Sequence, residues 1–435
     1  MVEHRQLNAL SLAALLVSAH YGLGFLLGTG EKAFTLGMAG SLYAISIALG
    51  TIALLALAKF YWENVEQIWT LLGQRYGRGA QILVGSMSWL SLIGIEAVQT
   101  IAGVSILNVV GAPALPTTIA LTLVFLLVSL LPVEKASRLF QALLACNLCA
   151  LFYSLIQLHG LGEYARSPLA FIPSLQQAEP ASAIGISLCT ILLVLIDMKY
   201  QQYIVRAKDL KNLYIGCILA AFILFALALL PSAVVISAQN AEILPPETTA
   251  KAAIPYILSW VGGGITNPLG ILLIISLIVP ALGVGSSILR MQTKTILDFG
   301  FIEASNVNRF AVASANAILG FMVALRGGSI VNLIVQFYAV YVATIMIPFV
   351  AYLLASFERY IFSSFSVYFS LGTGGAAAIS MLVLTLIDSK VAVLNSPELT
   401  IMGMGFGFGV LGLLVGQAIA IRTAPRESSE PRELS

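Results

Sequence analysis

The chain has 435 residues, 59% of them hydrophobic and only 10% charged, with a formal net charge of +2. No soluble domain of this length exposes so little charge, and long apolar runs rather than alternating ten-residue segments mark an all-α membrane protein and exclude a membrane barrel. A balance so near neutral gives no reason to expect a nucleic-acid partner, and nothing in the sequence speaks to oligomeric state.

The N-terminus enters the first apolar run without a small-residue cleavage site, so no cleavable signal peptide is expected. About twelve transmembrane helices are predicted, over roughly 8–30, 37–59, 79–107, 115–133, 137–159, 183–205, 212–237, 264–290, 308–326, 329–355, 366–388 and 399–421. Span 1 carries Gly22, Gly24, Gly28 and Gly30. Glycine weakens a helix by about 1 kcal/mol relative to alanine, so this span is expected to break. A break in lipid must line a cavity or a bound solute. The alternative is a straight helix whose small residues let a neighbour approach. Cys146, Cys149, Cys189 and Cys217 all lie in apolar runs and are expected to be buried structural thiols. Residues 160–182 form an external loop, 253–263 is too short to span and suits an interfacial or re-entrant helix, and 422–435 is a polar tail expected to be disordered.

Of the 22 Lys and Arg residues, sixteen fall on loops of one parity, five on the other, and Lys199 within a span. The positive-inside rule then puts both termini in the cytoplasm of a cell (inner) membrane. Polar side chains inside spans usually face a cavity, because a charge in mid-bilayer costs several kcal/mol. His20, Glu96, Gln99, Asp197, Lys199, Gln201, Gln202, Gln336 and Tyr338 are such residues. His20 is either a site residue or a core histidine bonded to a carbonyl; Asp197 and Lys199 either pair with each other or snorkel. Together with Tyr21, Gly22 and Gly24 at the expected break, His20, Glu96, Gln99, Asp197, Gln202, Gln336 and Tyr338 form the candidate set for a small-molecule solute. There is no GxSxG, HExxH or phosphate-cradling loop, and the histidines (His4, His20, His159) are scattered, so no enzyme and no cofactor are expected.

Four stretches, in order along residues 10–300, resemble the sodium/solute symporter family of the amino acid–polyamine–organocation superfamily. Gly28-Thr-Gly-Glu-Lys-Ala-Phe34 is similar to the family's first core helix, often GLPGKAY. Leu71-Leu-Gly-Gln-Arg-Tyr-Gly-Arg78 resembles its LxxRFGR segment. Gln201-Gln-Tyr-Ile-Val-Arg-Ala-Lys-Asp-Leu-Lys211 resembles QR…AAKxxK with altered spacing, and Ser286 to Asp298 resembles DSxLLxxSTxxTxD of the eighth core helix. The resemblance implies a five-plus-five inverted-repeat (LeuT-type) core with two additional C-terminal helices. Residues 1–159 would be the first repeat, 183–355 the inverted second, and 356–421 the added spans. It implies a secondary transporter of a small organic solute, working by alternating access. The sixth span has no mid-helix Gly or Pro, so a break there would use the polar run Asp197 to Gln202.

By the same resemblance, the sodium-site positions are Ser18 and Tyr21 on the first helix and Val279, Leu282 and Gly283 on the eighth. Leu282 and Gly283 stand where the family has two hydroxyls. A hard cation needs oxygen ligands, so sodium dependence is not expected, and a proton taken by His20 or Glu96 is the other candidate coupling ion. His20 falls where some members carry an aspartate near the substrate, and Gln336 and Tyr338 fall where the sugar-transporting branch has Gln-Glu-Tyr. A solute sensor that does not transport, or a membrane enzyme, is the alternative reading.

Overall fold

The computed structural model describes residues 5–64, 67–130 and 133–423. Among them the chain is helical, as α1 (Ala9–His20), α2 (Leu23–Leu36), α3 (Leu42–Ala53), α4 (Leu55–Asn64), α5 (Ile68–Tyr76), α6 (Arg78–Asn108), α7 (Ala114–Ser129), α8 (Val133–Gln157), α9 (Leu161–Ser174), α10 (Pro180–Ile196), α11 (Met198–Ile204), α12 (Leu210–Asn240), α13 (Ala253–Val261), α14 (Pro268–Asp298), α15 (Asn306–Arg326), α16 (Ile330–Ser356), α17 (Ser364–Ile387) and α18 (Pro397–Thr423). Each predicted span coincides with one helix or a consecutive pair. Among the described residues eight stretches are long and apolar enough to cross a membrane: Leu23–Ala53, α6, α12, α14, α15, α16, α17 and α18.

The first of these stretches is not one rod. Gly37, at φ 55°, sits in the left-handed region that suits glycine. The turn it makes presses Gly40 onto the backbone of Ala33, so closely that a side-chain carbon there would collide. The chain therefore turns between α2 and α3, as two spans require. At the far end of α8 the chain bends by 102° into α9, so the predicted external loop 160–182 carries a helix, with Leu169 and Ile172 exposed. The short helix α13 lies where the interfacial or re-entrant segment is expected. Arg422 and Thr423 belong to α18; the rest of the expected disordered tail, 424–435, lies outside the described residues.

The most buried spans are α6 and α16, while α15, α17 and α18 are more open. Large apolar side chains such as Phe222, Leu272 and Met322 are exposed on the outside. On a protein in water such a surface would be a liability; in a bilayer it is the side that meets lipid. The cysteines correct an expectation: Cys189 and Cys217 are buried, but Cys146 and Cys149 are exposed on α8.

Candidate functional site

The first and the sixth predicted spans are interrupted by extended backbone. Between α1 and α2 the chain is extended at Gly22 (φ −127°, ψ −173°), and the Gly22 amide donates to the His20 carbonyl at 2.8 Å. The later glycines of this span stay helical. Gly24 lies against Ile334, Gly28 against Ile330 and Val331, and Gly30 against Ile254. Both readings of the glycine-rich stretch therefore apply: it breaks at its start and packs closely beyond.

The sixth span breaks at Asp197 (φ −71°, ψ 119°), at the head of the polar run. A helix end in lipid must have its free carbonyls satisfied. Here tyrosines from other helices do this. Tyr61 Oη donates to the Leu195 carbonyl at 2.6 Å and Tyr341 Oη to that of Ile196 at 3.1 Å. Asp197 in turn caps α11, its Oδ1 accepting from the Lys199 amide at 2.8 Å. Removing the hydroxyl in Tyr341→Phe leaves the Ile196 carbonyl without this donor, a loss of about 1–3 kcal/mol. The expected result is a lower thermal midpoint for the purified variant; an unchanged midpoint would show that the break is held by other means.

The two breaks meet through side chains. His20 Nε2 lies 3.4 Å from Asp197 Oδ2, both nearly inaccessible to solvent. Neither atom has a hydrogen-bond partner among the described residues, so each faces chiefly the other. The His20 ring stands edge-on to Tyr200 with centroids 4.8 Å apart, and Tyr200 Oη pairs with Thr51 Oγ1 at 2.9 Å. Lys199 Nζ donates to Tyr338 Oη at 3.4 Å. Asp197, Lys199, Tyr338, Tyr341, Ser88 and Ser91 line a space of about 20 Å³, room for roughly one water. The centre is thus closed in this conformation. Larger cavities lie away from this cluster, one at the C-terminal end of α6 and one among α7, α14 and α15. One, of about 560 Å³, includes Glu31, Thr100, Asn108 and Lys251; the other, of about 720 Å³, includes Arg290, Lys294 and Arg309.

Of the candidate set, His20, Asp197 and Tyr338 come together, with Gly22 at the break. Gln99 continues the α6 face of Ser88, Leu92 and Ile95 one turn on, buried and with Oε1 unpartnered. The ring of Tyr21 packs on Phe25, 5.5 Å between centroids. Gln202 is half-buried on α11. Two candidates stand apart. Glu96 packs between α14 and α15, where Gln292 Nε2 donates to Glu96 Oε2 at 3.0 Å and Gly320 abuts the carboxylate. Gln336 lies seven residues before Ala343 and eleven before Ile347, which face Gly405 and Gly409 of α18. At 3.6 residues per turn this puts it on nearly the opposite side of α16 from Tyr338. Lys199, Ser91 and Tyr341 join the cluster without having been in the candidate set. Lys199 had a signal, a charge inside a span; the serine and tyrosine hydroxyls had none. Gln201, by contrast, holds α5 in place, its Oε1 accepting from the Ile68 amide at 3.0 Å.

The positions tied to sodium by resemblance offer few ligands. Gly22 approaches Val284 within 3.6 Å of where its side-chain carbon would be, so the break does abut α14 next to Gly283. Yet Ser18 Oγ donates to its own helix at Leu15 (2.9 Å), as do Ser286 to Gly283 (3.2 Å) and Ser287 to Val284 (2.9 Å). Val279, Leu282 and Gly283 have no side-chain oxygen; Tyr21 Oη is the one hydroxyl at these positions that is buried without a hydrogen-bond partner among the described residues. These side chains do not make the oxygen cage a hard cation needs. Among the described residues no group of three or more His, Cys, Asp or Glu could hold a metal.

The sequence matches no family description and no curated protein. In fold the chain is similar to several solved transporters. One is Mhp1, a nucleobase-cation-symport-1 family transporter, in a closed conformation with bromovinylhydantoin bound: TM-score 0.57, 14% identity, 96% of this chain and 93% of that one. A second is a Na+-coupled sialic acid symporter in a substrate-bound outward-open state: TM-score 0.58, 13% identity, 95% and 96%. A third is a manganese transporter from Eremococcus coleocola: TM-score 0.50, 14% identity, 95% and 91%. At these identities the likeness is one of fold, and the fold is the LeuT type, an all-α membrane architecture with a five-plus-five core and two further helices.

Proposed function

We propose that this chain is a secondary transporter that carries a small organic solute across the membrane by alternating access. The observation that carries the reading is the meeting of the two broken spans through His20 and Asp197. Unwound backbone and an aspartate facing a histidine at mid-membrane are costly unless they serve a solute or an ion. The solute would sit between the breaks, against Tyr338, Lys199 and the Gln99 face of α6. The closed centre, with room for roughly one water, fits a state between openings. Residues 1–159 and 183–355 would be the two repeats, both termini would be cytoplasmic, and the resemblance to sodium/solute symporters would mark a divergent relative.

Coupling would not use sodium in the ordinary way, because Leu282 and Gly283 offer no side-chain oxygen and the nearby serines are bonded to their own helix. Uptake into vesicles should be unchanged when sodium is replaced by a large organic cation. Loss of uptake that millimolar sodium restores would contradict this. The same bare positions favour, as a second reading, a sensor that binds a solute without moving it. Vesicle uptake separates the two: a sensor binds and does not accumulate.

A further inference from the structure

We propose that the solute taken at the helix breaks is a small monocarboxylate, its carboxylate held by Lys199 and the Tyr338 hydroxyl. The inference rests on the solute site proposed above and names the chemical class that the site takes. Lys199 is a cation inside a predicted span, and its side chain turns inward onto α16 instead of snorkelling outward. Its Nζ lies 3.4 Å from Tyr338 Oη and 6.0 Å from the centre of that ring. Tyr338 is buried, and both residues line the small hollow at the breaks.

An ammonium has three donors and no acceptor. Among the described residues Lys199 Nζ has one acceptor, a neutral hydroxyl at the long end of the hydrogen-bond range. The ion pairs among these residues are His20 with Asp197 and Lys59 with Glu63, and Lys199 is in neither. Asp197, two residues back, is turned to other groups: Oδ1 accepts from the Lys199 amide at 2.8 Å and Oδ2 faces His20 at 3.4 Å. Tyr338 Oη accepts from Lys199, and its own proton has no acceptor among the described residues. Two donors, one of them charged, thus stand side by side. The two oxygens of one carboxylate fill both, and such charge-assisted bonds are stronger than neutral ones.

The rest of the wall sets what the carboxylate is attached to. Leu92 and Ile95 of α6 and Leu193 of α10 are apolar. Ser91 Oγ donates to the Ser88 carbonyl of its own helix, and Tyr341 Oη to the Ile196 carbonyl. A sugar or other polyol needs a partner for each buried hydroxyl, and the described wall has too few to give. An amine would bring a second cation against Lys199. A compact aliphatic or aryl body with one carboxylate suits both the donors and the apolar side. The hollow holds about 20 Å³ in this conformation, so such a solute enters only when the helices around it part.

The test uses the full-length protein in detergent, titrated with isovalerate, benzoate and phenylacetate, and with the primary amide and the amine of each skeleton. Equilibrium dialysis reads affinity, and a melting curve reads whether each variant is folded. At least one acid is expected to bind about tenfold or more tightly than its amide, the margin of a charge-assisted hydrogen bond, and the amines are expected not to bind. In Lys199→Gln the difference between acid and amide should vanish, while Lys199→Arg should keep it. Tyr338→Phe keeps the buried ring and the Lys199 charge; it should lower acid binding several-fold, and it carries the test if Lys199→Gln does not fold. No acid ahead of its amide would overturn the proposal, as would a preference that survives Lys199→Gln or acid binding unchanged in Tyr338→Phe. Vesicle uptake separates this from the transport reading. An acid that binds in this way yet does not accumulate refutes transport and leaves the solute class standing. Uptake of an amine or a polyol and of no acid supports transport and overturns the class.

Discussion

Replacing Asp197 by asparagine should reduce solute uptake by more than about a hundredfold while the protein remains folded. Asparagine keeps an oxygen that can accept from the Lys199 amide, so the cap of α11 survives. What is lost is the negative charge facing His20, 3.4 Å away in a site with almost no solvent. Leaving a buried polar group without its partner costs about 1–3 kcal/mol, and more for a charged group, and about 1.4 kcal/mol is a factor of ten. Asp197→Ala should add a loss of about 1 kcal/mol in stability, because it also removes the cap. If the two residues act as a unit, Asp197→Asn combined with His20→Ala should do little more harm than either alone. Wild-type uptake in Asp197→Asn would remove the helix breaks from the solute path.

Glu96→Ala should destabilise the protein by about 2–4 kcal/mol, from the cavity left and the Gln292 amide stranded in the interior. Glu96 and Gln292 are 1% and 0% exposed, so water cannot replace the lost partner. Glu96→Gln keeps the shape and an amide oxygen to accept from Gln292, so it should melt close to wild type and transport normally. The prediction follows from placement: Glu96 is held between α14 and α15, apart from the charged cluster. A Glu96→Gln protein that is stable yet inactive would bring Glu96 back into the transport cycle and revive the proton reading suggested by the sequence.

The spans were legible in the sequence because bilayer thickness dictates apolar length; of the sixth span only the place a break would take, the polar run from Asp197, could be read, because no Gly or Pro marks the break itself. The position of the first break was legible only in part. Gly22, Gly24, Gly28 and Gly30 look alike in sequence, but only the first is extended, and the others serve contacts with Ile334, Ile330 and Ile254. Which polar residues share a space was not legible. Gln336 and Tyr338 are neighbours in the chain, yet two residues turn a helix by about 200°, and only a fixed rotation of α16 decides which one faces Lys199. Tyr61 and Tyr341 cap carbonyls some 130 to 150 residues away in the chain, a pairing that only the assembled fold creates.

The central claim is that a solute crosses at the His20–Asp197 junction. Its most direct test is vesicles containing either the wild-type protein or Asp197→Asn, exposed to a defined mixture of small organic solutes, with their contents read by mass spectrometry. The account predicts that at least one solute accumulates in wild-type vesicles and stays at the level of protein-free vesicles in Asp197→Asn. A solute that raises the melting midpoint of the wild-type protein but enters neither set of vesicles would contradict it and would make the protein a sensor.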